Sequence, residues 1–302
     1  MRRGARLRAG DRVAVVATSG PVSPEQLAGG CARLSSAGLK VVLGQHVLAR
    51  DGLYAGSDEQ RAADLTEAWC DDGVGAVLCA RGGYGALRLL DHLDPAVFAA
   101  AQPKPLVGYS DVTVLHRWLA RHADVATLYG PMVAGQALAT DTHGAEWGDH
   151  LIRTLMSPEQ TVRLHSPAAR VLVPGQAVGP VIGGNLNLLA ALLGSPEAGS
   201  ARGCIVVLED INKEPHRLDR LLTQLLRAGW FDAAAGVVVG EWVNCGPDPD
   251  AILLERLGPL GVPILSGFDV GHGPRQLTVP LGPSAVLDTA DRSLHYSQPA
   301  LG

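Results

Sequence analysis

Short apolar runs rich in Val, Leu and Ile recur along this chain and alternate with longer stretches whose apolar positions fall three and four residues apart. Near-continuous apolar runs suit strands covered on both faces, and the three-and-four spacing suits helices with one buried side. In the first half the pattern predicts strands over DRVAVVAT, LKVVLG, VGAVLCA and PLVGY. Helices are predicted over SPEQLAGGCARLSSAG, SDEQRAADLTEAWCD, ALRLLDHL and the stretch carrying VTVLHRWLARH, and ATLYGP closes the half. Residues 156 to 178 hold three prolines without helical periodicity, which reads as a connector with some extended pairing. A second unit follows from VGPVIGGNLNLLAALLGS through CIVVLED, AAGVVVGEW and VPILSGF to LTVPLG and AVLDTA. Its helix HRLDRLLTQLLRAG places Leu218, Leu221, Leu222, Leu225 and Leu226 on one buried face. The expected fold is α/β in two domains. Residues 1–155 form a mostly parallel βα sheet, 156–178 a connector, and 179–302 a smaller mixed α/β domain.

Composition narrows the field. At 302 residues and 47% apolar content the chain fills a sizeable core. A net charge of −5 with scattered basic residues argues against nucleic acid as a partner. No run reaches the roughly 18 apolar residues of a membrane span, and the basic start leads into a first strand rather than a secretory signal. The expected location is the cytosol, with no membrane partner. Cys31, Cys70, Cys79, Cys204 and Cys245 form no CxxC pair, and their odd number argues against a disulfide framework. Most are expected to be buried. No HExxH or close His/Asp cluster occurs, and His116 and His122 are spaced off a common helix face, so no metal is expected.

Three residues stand at strand ends, where α/β proteins collect reactive side chains. Ser110 follows PLVGY at a strand-to-helix corner, which can lift a nucleophilic hydroxyl clear of the sheet; the same residues also suit an ordinary helix cap. Glu209 closes CIVVLED, where a carboxylate can equally begin a solvated loop. His272 lies between two glycines in GHGPRQLTVPLG, a setting that suits a placed imidazole better than a packed one. Together they supply a hydroxyl, a proton carrier and a carboxylate able to fix its tautomer. In CARGGYGALRLLD, Gly82 and Gly83 follow a strand and precede a helix, so their N–H groups are candidate donors to an oxyanion. The rival phosphate loop lacks the G-x-G-x-x-G order and a Walker lysine.

The segments LYAGSDEQRAADL, ARGGYGALRLLD, VGYSDVTVLH, YGPM, GGNLNLL, LEDINKEPHRLDR and GHGPRQLTVPLG, in this order over nearly the whole chain, resemble the LD-carboxypeptidases of the S66 serine peptidases. The pattern is nearer the muramoyl-tetrapeptide carboxypeptidases than the microcin C immunity peptidases. The resemblance implies Ser110 as nucleophile, Glu209 as orienting acid and His272 as general base. It implies an oxyanion site from the Asp111 amide and one amide of the RGGYG turn, Gly82 or Gly83. The corner GYSD carries Val112 where an ordinary hydrolase elbow has its second glycine. With the serine in one half and its partners in the other, the site is expected in the cleft between domains.

The resemblance further implies hydrolysis of the L,D bond that releases terminal D-alanine from a murein tetrapeptide, with no cofactor, by a homodimer. An exopeptidase must also hold a free carboxylate, for which Arg81 and Arg275 are candidates. Trp242 is a candidate cleft residue, with packing as its rival role. Two other functions share these motifs: an amide hydrolase acting on a peptidyl-nucleotide toxin, and a muropeptide sensor without turnover.

Overall fold

The computed structural model describes residues 1–140 and 145–302. The first half contributes strands β1 (Arg12–Val16), β2 (Lys40–Leu43), β3 (Val74–Cys79), β4 (Leu106–Gly108) and β5 (Thr127–Tyr129). Between them run helices α1 (Pro24–Ser36), α2 (Asp58–Cys70), α3 (Ala86–Leu89), α4 (Pro95–Ala100) and α5 (Thr113–His122). Two more, α6 (Gln136–Ala139) and α7 (Ala145–Met156), lead out of this unit. The strands β1 to β5 pair in parallel in the order β5-β4-β3-β1-β2. Their nearly unbroken apolar character follows from cover on both sides: separate apolar clusters fill the two faces, one around Trp69, Phe98 and Trp118, the other around Leu34, Leu128 and Leu151.

The second half adds β6 (Arg163–His165), β7 (Arg170–Val173), β8 (Gln176–Asn185), α8 (Leu186–Ala191), β9 (Ile205–Ile211), α9 (Pro215–Arg227), β10 (Gly236–Val243) and α10 (Pro249–Leu257). It ends with β11 (Ile264–Ser266), β12 (Val279–Leu281), β13 (Ser284–Asp288) and β14 (Ser293–Tyr296). Eight of these strands form a mixed sheet, β6-β14-β13-β8-β9-β10-β11-β7, parallel from β8 to β11 and antiparallel at both ends. On α9, Leu218, Leu222 and Leu225 are fully buried, while Leu221 and Leu226 pack at the margin of the same cluster.

One strand crosses between the halves. β12 leaves the second unit and pairs antiparallel with β5, placing Val279 opposite Tyr129. A shared apolar cluster then joins Tyr129 and Val279 to Val207, Val238 and Leu265 of the second sheet. The two sheets are thus fixed to each other by close-packed side chains on both sides of the crossing strand.

Some details depart from the sequence reading. ALRLLDHL is helical only to Leu89 and tightens into a 3-10 turn over Leu90–His92, because Asp94 caps a new helix whose first residue is Pro95. Helices α4, α6 and α7 and strand β14 were not foreseen. The cysteines are all free, but only Cys79 and Cys245 are buried: Cys70 ends an exposed helix turn, Cys31 sits half-buried in the middle of α1, and Cys204 precedes β9.

Candidate active site

The chain reverses sharply after β4. Tyr109 is extended, and Ser110 then takes φ 62°, a left-handed conformation that a residue with a Cβ adopts only at a cost. A 3-10 turn over Ser110–Val112 carries the chain into α5. The strain thus sits at the residue whose hydroxyl is presented at the sheet edge. Below the corner, His116 on α5 bonds the Gly108 carbonyl through Nε2 at 2.9 Å. Burial drives its pKa down to about 4, so it stays neutral near pH 7 and donates Nε2–H.

Glu209 lies on β9 and is completely buried. His272 stands in the loop between β11 and β12, with its side chain 15% exposed. The ring bridges the two units: Nδ1 lies 2.5 Å from Glu209 Oε2, and Nε2 lies 3.0 Å from Ser110 Oγ. The second carboxylate oxygen, Oε1, accepts from Tyr129 Oη at 2.6 Å and from Asn185 Nδ2 at 3.2 Å. Burial opposes the charge on Glu209, but the His272 ring and these hydrogen bonds outweigh it and hold the carboxyl below its ordinary range. For His272 burial also opposes charge, and the adjacent Glu209 reverses the balance, leaving the imidazole above its usual 6.5.

Gly271 makes this approach possible. A Cβ there would stand 2.6 Å from Glu209 Cγ and Oε2, and its φ of +98° is one that side chains rarely adopt. Gly271→Ala is therefore expected to cost about 1–3 kcal/mol from the backbone conformation alone. Chemical denaturation of the variant beside the parent checks this, and equal midpoints would contradict it.

The RGGYG turn packs against the serine. A Cβ at Gly82 would lie 3.2 Å from Met132 Cε and 3.3 Å from Ser110 Cβ, tighter than ordinary contact, so glycine lets the turn run this close to the serine. Among the described residues, the N–H groups of Gly82, Gly83 and Asp111 donate to no carbonyl outside helices and strands. The turn is braced from beneath by Arg61, which is 1% exposed, donates to the carbonyls of Thr18 and Gly85 at 2.7 and 3.0 Å, and pairs with Asp58. The Asp111 side chain, also buried, accepts from the Ala86 amide at 2.8 Å and ties the serine corner to the start of α3. Burial raises its pKa against that bond.

The remaining candidates are placed differently. Arg81 donates to the Pro21 carbonyl at 2.7 Å on the exposed rim of the RGGYG turn, and its charge reaches the Tyr109 phenol. Arg275 pairs with Asp269 at 2.8 Å and Glu241 at 3.4 Å. With Trp242, it lines a pocket of about 280 Å³ that none of Ser110, Glu209 and His272 lines. Among the described residues no group of three or more His, Cys, Asp or Glu is arranged to hold a metal, and no helix is long and apolar enough to cross a membrane.

Two residues that touch this constellation, Tyr129 and Asn185, and Arg61, which braces the RGGYG turn, carried no role in the sequence reading. Asn185 ends β8 directly beside Glu209 in the register of the sheet and caps α8 through its side chain. Its signal was the polar residue inside GGNLNLL, which an N-cap explains equally well.

Scaffold and constellation place the chain among α/β proteins that carry a serine, a histidine and an acid in hydrogen-bonded series across two sheets. Residues 13–130 match the LD-carboxypeptidase N-terminal domain and residues 178–287 the LD-carboxypeptidase C-terminal domain. The chain belongs to this family. It is 48% identical to a protein of Streptomyces coelicolor that carries the name carboxypeptidase, over 99% of this chain and 97% of that one. The murein tetrapeptide carboxypeptidase of Pseudomonas aeruginosa is 33% identical, over 92% and 93%. Among solved structures, the muramoyltetrapeptide carboxypeptidase from Oxalobacter formigenes superposes with a TM-score of 0.80 at 29% identity, covering 94% of this chain and 97% of that one. The protein MccF, solved in complex with glutamyl sulfamoyl guanosine, shares the fold with a TM-score of 0.91 at 24% identity, over 99% of each chain.

Proposed function

We propose that this protein is a serine carboxypeptidase that removes the terminal D-alanine of a murein tetrapeptide by cleaving an L,D-peptide bond. The observation that carries the reading is the His272 ring held between Ser110 Oγ and the buried Glu209 carboxylate. In this mechanism Ser110 Oγ attacks the scissile carbonyl carbon while His272 Nε2 takes its proton. Glu209 fixes the Nδ1–H tautomer and stabilises the imidazolium that forms. The carbonyl oxygen, now negative, is received by the Asp111 amide and an amide of the RGGYG turn, Gly82 or Gly83, and one such donor contributes about 10² to 10³ in rate. The tetrahedral adduct collapses, the C–N bond breaks, and His272 returns the proton to the departing D-alanine amine. Water then attacks the Ser110 ester with the same ring as base and frees the shortened peptide.

Arg81, at the rim of the turn, is the arginine best placed for the substrate's terminal carboxylate. Arg275 and Trp242 border their own pocket and are assigned to the acyl portion farther from the cut. The protein is read as a cytosolic homodimer, which light scattering on the purified chain tests by mass. The substrate is tested by incubating the protein with murein tetrapeptide and, separately, with a glutamyl sulfamoyl nucleoside. Mass spectrometry is expected to find loss of one alanine from the first and an intact second. The reverse pattern favours a nucleotide-detoxifying amidase, and binding without any cleavage favours a sensor.

A pH dependence follows from the electrostatics. The base works only as neutral imidazole, and Glu209 holds its pKa above 6.5, so protonation persists to higher pH than for a free histidine. The acid limb of kcat/KM is therefore expected to have its midpoint above pH 6.5. A midpoint below it would contradict the Glu209–His272 coupling.

A further inference from the structure

Tyr129 closes β5, between β4, which leads to Ser110, and β12, which follows the His272 loop. Its ring is fully buried, so its hydroxyl must find partners within the protein. Two hydrogen bonds hold it, one on each side of the site, and the Thr113 hydroxyl also lies near enough to interact. Tyr129 Oη accepts from the Ser110 amide at 3.1 Å and donates to Glu209 Oε1 at 2.6 Å. One hydroxyl therefore spans the gap between the strained corner of the first sheet and the acid of the second.

We propose that Tyr129 is a positioning residue of this site, its hydroxyl locking the Ser110 corner to the Glu209 carboxylate and setting the basicity of the Glu209–His272 pair. The inference rests on the serine, histidine and acid roles assigned above. Two consequences follow. The Ser110 amide is committed to the tyrosine and is not free for an oxyanion, which leaves that task to the amides of Asp111 and the RGGYG turn. The phenol also donates to the negative form of the pair, favouring the state in which His272 is neutral and ready to act as base. The phenol itself stays protonated, since burial and the neighbouring Glu209 raise its pKa well above 10.

Other groups around the pair are accounted for. Asp210 beside Glu209 raises the His272 pKa, and Lys213, paired with Asp210 at 3.1 Å, lowers it. The Tyr109 ring stands 5.0 Å from that of His272, with its own pKa raised by burial, and His116, 5.8 Å from Tyr129, stays neutral. Cys245 near Asp210 has its thiol raised by burial, and Glu241 behind the His272 loop is paired with Arg275. None of these groups contacts both sides of the site through one atom.

The test is the pH dependence of inactivation by a small fluorophosphonate, which reads serine activation whatever the natural substrate. Parent, Tyr129→Phe, Tyr296→Phe and Ser110→Ala are compared as full-length proteins. Tyr296 is another buried phenol, bonded to the Pro280 carbonyl, and controls for loss of a buried hydroxyl. Tyr129→Phe is expected to slow inactivation about 10-fold at neutral pH and to move the acid midpoint up by about one unit, the scale of one hydrogen bond to a charged group. Tyr296→Phe is expected to leave the midpoint in place. The midpoint does not depend on the folded fraction. If Tyr129→Phe does not fold, 3-fluorotyrosine at position 129 keeps the hydroxyl, strengthens it as a donor, and is expected to move the midpoint down. An unmoved midpoint in the folded variant overturns the inference. Ser110→Ala separates the two levels: a variant that still reacts at the parental rate removes the triad reading itself, whereas its inertness beside a parental Tyr129→Phe profile removes only the tyrosine's role.

Discussion

Ser110→Ala is expected to lower peptidase turnover by about 10⁴ to 10⁶ without unfolding the protein. Alanine keeps the Cβ, so the φ of 62° carries the same strain in both proteins, and the Tyr129 bond to the amide at 110 is untouched. What disappears is the 3.0 Å bond to His272 Nε2 and, with it, the proposed nucleophile. Steady-state assays with matched circular dichroism melts check the point. Turnover within a few-fold of the parent would place the chemistry elsewhere.

The second large effect concerns the buried acid. Glu209→Gln conserves shape but replaces a carboxylate that accepts from His272, Tyr129 and Asn185 with a group that has one accepting oxygen and one donating nitrogen. The amide cannot satisfy three donors, and it no longer fixes the Nδ1–H tautomer. A fall in kcat of about 10⁴ is expected. The sign of the pH shift is also fixed. Glu209 is what lifts the His272 pKa, so without the carboxylate burial dominates and the acid limb of the residual activity moves to lower pH. An unchanged limb would mean that the carboxylate does not act on the ring.

Most strands were legible because local signals sufficed. β1, β3, β9 and β10 are covered on both faces and read as unbroken apolar runs, and the boundaries of such runs bracketed Ser110 and Glu209. His272 was legible because glycines flank it, and Gly271 turns out to face the acid directly. The crossing of β12 to β5 was not legible. Pairing of Val279 with Tyr129 joins positions far apart in sequence, and no local periodicity encodes a register of that span. This crossing also hid Tyr129. Within YGPM it reads as an aromatic at a strand end, and only the return of the later strand shows why a buried hydroxyl is needed there. Arg61 was hidden for another reason: in SDEQRAADL an arginine reads as solvated, yet the helix turns it inward onto the carbonyls of Thr18 and Gly85.

The stored strain and the buried charge share a physical cause. A hydroxyl must protrude from the sheet toward a ring that is anchored on the other sheet, and both features persist because packing around β12 holds the two sheets in register. The close approach of Gly82 and Gly271 to Ser110 and Glu209 serves the same arrangement.

The most direct measurement uses a depsipeptide analogue of the tetrapeptide, in which D-lactate replaces the terminal D-alanine so that the faster-leaving alcohol lets acyl-enzyme build up. Acid-quenched protein is digested and mapped by mass spectrometry. The expected result is a single tripeptidyl adduct on the peptide carrying Ser110, absent from the Ser110→Ala protein. Hydrolysis that continues in Ser110→Ala, or an adduct on any other residue, would contradict a nucleophile at this corner.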